Sequence, residues 1–185
     1  MNISLTSDLI VDFALDFLIT NYFITNYKCI SVMIYHNNEI CKKIFIYNFI
    51  KKIPHDIIKI NSFIFIFVTT KIILEKPNMS NLFYTPIQNS IDLKNFFDKI
   101  ISRTMQLMGK NNNYYTIIFL DENILCNFIF NNMSNNELYK SFKELLLNSC
   151  IYKIQFIIFF SNYDISIKIK NIDKNIDLCK ILFYE

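Results

Sequence analysis

A chain of 185 residues fits one domain and is long enough to bury a sizeable core. Its single glycine, Gly109, excludes every glycine-rich phosphate cradle, because G-x-G-x-x-G, the P-loop and G-x-S-x-G each need several positions without a side chain. A net charge of +3 is too small for a dedicated nucleic-acid binder, and the lysines are spread among acidic residues as on an ordinary solvated surface.

The apolar share of 52% is high, isoleucine and asparagine together make roughly a third of the chain, tryptophan is absent and Arg103 is the sole arginine. This is the bias of a very AT-rich genome, so residue frequencies alone carry little functional information. Cys29, Cys41, Cys126, Cys150 and Cys179 show no C-x-x-C and no metal spacing. An odd, unpatterned set suits reduced thiols in an intracellular, reducing compartment, with the cytoplasm the first expectation. The N-terminus lacks the basic segment of a signal peptide. The longest apolar runs are too short or too charged to cross a bilayer: 63–74 carries Lys71, and 9–24 carries Asp12 and Asp16.

Taken in order, Ser7 is a good N-cap for a first helix ending near 21–26, with Asp8 placed favourably for the helix dipole. Asp8, Asp12 and Asp16 fall on one polar stripe, opposite Ile10, Phe13, Ala14, Phe17 and Leu18. Carboxylates one turn apart can hold a cation or share acid–base work. With no histidine close by, a solvated helix face explains them better. Residues 29–35 and 40–49 read as a β-hairpin turned by His36, Asn37 and Asn38, since asparagine tolerates the left-handed conformation of a tight turn. His36 and His55 are the only histidines, and a site built on both would need distant carboxylates. A nucleophile pair of Cys29 or Cys41 with His36 rests on sequence proximity alone.

Residues 51–60 read as a connector. The continuous apolar run within 62–74 is expected to be a strand covered on both faces. Residues 75–89, with Pro77 and Pro86, are the one clear loop and a candidate partner contact.

The block 90–161 is the best organised. Ser90 is expected to cap a helix over 91–108, in which Leu93, Phe96, Phe97, Ile100, Thr104, Leu107 and Met108 recur at helical steps. Gly109 stands where a positive-φ C′ residue belongs. A strand over 115–120 and a second over 125–130 are expected to form a hairpin through Asp121, Glu122 and Asn123. Asp121 and Glu122 at a strand end could be a metal or catalytic pair, although turns use the same residue types for backbone hydrogen bonds. Ser134 and Glu137 form a capping box ahead of a helix over 135–147. A central strand over 152–160 follows. Ile165, Ile167 and Ile169 alternate with polar residues, which reads as an edge strand over 166–170, and 179–184 can add a last short one.

The stretch YTIIFLDENILCNFIF (115–130), preceded by a long helix and followed by a helix and a core strand, is similar to the central hairpin of HORMA domains. A von Willebrand A-like element order is a second resemblance, but its metal motif D-x-S-x-S is missing, so no metal site is implied. The expected fold class is a single α+β domain over 1–185, with about three helices packed on a mostly antiparallel sheet. No catalytic, cofactor-binding or metal-ligating residue can be named from the sequence, and neither a small-molecule ligand nor a cofactor is indicated.

The expected role is a non-catalytic protein–protein interaction or scaffold subunit, supported by surplus apolar and aromatic residues. An accessory factor on a ribonucleoprotein such as a ribosome, with lysines on phosphates and tyrosines on bases, is the alternative. An enzyme with a dispersed site is the third.

Overall fold

A computed structural model gives the architecture and describes residues 12, 16, 32–35, 39–53, 62–70, 81–108, 114–130, 136–161 and 163–172. Five strands, β1 (Val32–Tyr35), β2 (Ser62–Thr69), β3 (Leu82–Pro86), β4 (Tyr114–Asp121) and β5 (Ile154–Phe160), form one sheet in the order β1-β5-β4-β2-β3. Every pairing in it is parallel. The protein is therefore α/β, and the expectation of a mostly antiparallel α+β sheet is corrected.

The described helices lie between β1 and β2, between β3 and β5 and after β5, as the crossovers of parallel neighbours usually demand. They are α1 (Glu39–Lys52), α2 (Ser90–Met108), the short α3 (Glu122–Ile124) running into a π-helical turn (Leu125–Phe130), α4 (Asn136–Leu147), the short α5 (Ser149–Tyr152) and α6 (Tyr163–Ile172). From β1 to β2 the chain steps one way across the sheet, and from β3 through β4 to β5 it steps back. Crossovers of one hand then place α1 on one face and α2 and α4 on the other. The packing agrees. On the first face Phe45 and Phe49 of α1 meet Phe159 and Phe119 edge-on. On the second, Leu93 and Phe97 of α2 and Leu138, Phe142, Leu145 and Leu146 of α4 share one core with Ile118, Leu120, Phe156 and Ile158.

Burial on both faces explains the unbroken apolar runs of β2, β4 and β5. All seven residues of β5 are buried between β1 and β4, so the expected central strand is present. The expected strand over 62–74 is described as Ser62–Thr69 and pairs on both sides. The helix expected over 91–108 is present, but its cap lies one residue earlier than Ser90. Asn89 Oδ1 accepts the Asp92 backbone N–H at 2.9 Å, and the Asp92 carboxylate accepts the Gln88 N–H at 3.2 Å. The helix expected over 135–147 is α4, while Ser134 of the capping box lies outside the described residues.

Three expected strands are helical. Residues 40–49 belong to α1, whose Phe45, Ile46, Phe49 and Ile50 are buried at helical steps. There is thus no hairpin with β1, which instead pairs with β5. Residues 125–130 form the π-helical turn, with Leu125, Ile129 and Phe130 inward. The 115–130 hairpin does not exist, and the HORMA-like arrangement built on it falls with it. Residues 166–170 lie in α6, where Ile165 and Ile169 point inward, four residues apart, and Ile167 faces out. Conversely the loop expected over 75–89 contains β3, a strand at the edge of the described sheet. Pro86 sits at its end, where a missing N–H costs no central ladder bond. Gly109, the 179–184 strand and most of the first helix lie outside the described residues.

Candidate functional site

A parallel sheet gathers the carboxyl ends of its strands on one edge, and open α/β sheets bind ligands there, where connections of adjacent strands leave on opposite faces. Among the described connections, that divergence falls between β1 and β5. The helix after β1 covers the first face, while α6 after β5 buries Ile165 and Ile169 in the core of the second. Among the described residues, Lys42, Asp121, Glu122, Ser161 and Cys126 are polar groups gathered near the carboxyl ends of β4 and β5.

Asp121 ends β4 in register with Phe159 and shares the first face with Phe119 two residues before it. Lys42 lies in the first turn of α1, one turn ahead of the inward Phe45 and Ile46. The two side chains meet in a salt bridge, and each keeps little solvent contact, 4% for Lys42 and 7% for Asp121. The second carboxylate oxygen of Asp121 accepts the Asn123 N–H at 3.0 Å and so caps α3. Taking both charges out of water is costly, so the pair is worth most as a fastener whose loss on one side strands the other.

Glu122 turns to a different partner. Its carboxylate accepts the backbone N–H of Ser161 at 2.6 Å and also the Ser161 hydroxyl. Ser161 follows the last residue of β5, so this contact closes the carboxyl ends of two central strands against each other. Cys126, in the π-helical turn, is a free, half-buried thiol. Burial pushes its pKa up, Glu122 adds to the rise, Lys168 opposes it, and Asp121 adds the smallest upward push. A thiol held protonated in this way is a poor nucleophile. The arrangement as a whole binds α1, α3, β4 and β5 together.

The candidate residues named from sequence are mostly dispersed. Asp12 and Asp16 are helical and exposed, and Asp12 pairs with Lys52 at 2.8 Å. Asp121 and Glu122 are brought to the carboxyl edge, but separate partners engage them. Among the described residues no group of three or more His, Cys, Asp or Glu side chains could hold a metal. Asp8, His36, His55, Cys29 and Cys179 lie outside the described residues, as do the side chains of Cys41 and Cys150. Lys42, one of the lysines expected on a solvated surface, is instead buried, and Ser161 carries no signal in the sequence. Only a correct reading of α1 points to Lys42, as a charged residue on its inward stripe.

No helix among the described residues is long and apolar enough to cross a membrane. Comparison with protein-family models, with curated proteins and with solved structures finds no match to this chain. Neither resemblance drawn from the sequence is therefore carried further.

Proposed function

We propose that the chain is a non-catalytic protein–protein interaction subunit of a larger assembly in a reducing, intracellular compartment. The observation that carries this reading is the outer side of the second helical layer. There Ile91 and Met105 of α2, Leu147 of α4 and Ile151 of α5 keep 68%, 54%, 50% and 58% of their surface in water. Ile91 and Met105 are fourteen residues apart, close to four whole turns, so they share a side of α2. Leu147 and Ile151 are four apart where the backbone bonds from Asn148 to Glu144 and from Tyr152 to Asn148 carry helical geometry from α4 into α5. Large apolar side chains left in water on these helices favour a protein partner, which would remove them from water. The carboxyl edge supports the same reading, because Asp121 and Glu122 spend their carboxylates on fastening the fold.

The test is a native pull-down with the wild-type chain and with the double variant Leu147→Asp, Ile151→Asp, each with and without RNase. Stable RNase-resistant protein partners that the variant loses, with its circular dichroism unchanged, are expected. Partners that vanish with RNase would replace this reading with the ribonucleoprotein one. A wild-type chain that stays alone would overturn both.

A further inference from the structure

We draw no further inference here: the strongest candidate, the Lys42, Asp121, Glu122 and Ser161 cluster at the carboxyl edge of β4 and β5, belongs to the site already described, and its side chains engage one another with nothing that points to a ligand.

Discussion

The two faces of the sheet are held by different means. On the first, a single described helix supplies the cover, and the contact is largely between rings. Phe49 meets Phe119 edge-on, Phe119 stacks at 6.5 Å on Phe65 and at 6.3 Å on Phe159, and Phe159 meets Phe45. One buried ion pair closes that face at the carboxyl edge. On the second, α2, α4, the π-helical turn and α6 share the cover. Their core is mostly leucine and isoleucine, with one aromatic run from Phe97 through Phe142 to Phe156. Among the described residues, the first face concentrates its contacts in a few rings, whereas the second spreads them over several helices. The difference should be visible in single substitutions.

The largest effects are expected in the ring column. Phe119→Ala should cost about 3–5 kcal/mol from transfer and cavity terms, and Phe156→Ala begins from the same range. Phe119 touches three rings and Phe156 one, and each such pair adds roughly 0.5–1.5 kcal/mol. Phe119→Ala should therefore be the more damaging by about 1–3 kcal/mol in urea unfolding. Equal losses would erase the contrast between the faces. Lys42→Met comes next. It leaves the Asp121 carboxylate buried without its cation and should cost about 3–5 kcal/mol, whereas Lys42→Met with Asp121→Leu should recover most of that loss. If the single variant unfolds like the wild type, the pair does not fasten α1. On the second face the cap of α2 gives a smaller test. Asn89→Ala should cost about 1 kcal/mol and Ser90→Ala only a few tenths, because the Asn89 side chain is the acceptor for the Asp92 N–H. The reverse ranking would restore the cap to Ser90.

Some of this structure was legible because the physics left one interpretation. The apolar runs of β2, β4 and β5 are too rich in aromatic and β-branched residues for helices, and α2 and α4 keep clear polar sides. The helices α1 and α6 read as strands for one reason. Ile44 and Tyr47 in α1 and Ile167 in α6 are apolar yet exposed, which blurs the helical period toward alternation. Losing those two helices removed the strand–helix alternation that marks a parallel sheet. The turn chemistry misled as well, because Asp121, Glu122 and Asn123 suit a hairpin and a helix cap equally. Asp121 and Glu122 were visible as a pair, but their partners Lys42 and Ser161 lie 79 and 39 residues away, a juxtaposition that only the fold creates.

The smallest effect concerns the lower end of the second face. The Tyr152 hydroxyl donates to the Glu144 carboxylate at 2.9 Å, and burial first, then that bond and the nearby charge, raise the phenol above its ordinary pKa near 10. A raised acid is more readily protonated when folded than when unfolded. Its contribution to stability is therefore full below the unfolded value and is lost as the pH climbs through the folded one. Tyr84 and Tyr115, raised by burial alone, share this sign. Tyr115 belongs to the first face, where it tilts against Phe63. Stability should accordingly fall above about pH 10 in the wild type. Tyr152→Phe should make that fall shallower without removing it, since the other two phenols remain. A slope unchanged by Tyr152→Phe but flattened by Tyr115→Phe would assign the alkaline sensitivity to the ring-packed face, and so extend the contrast between the faces to their pH response.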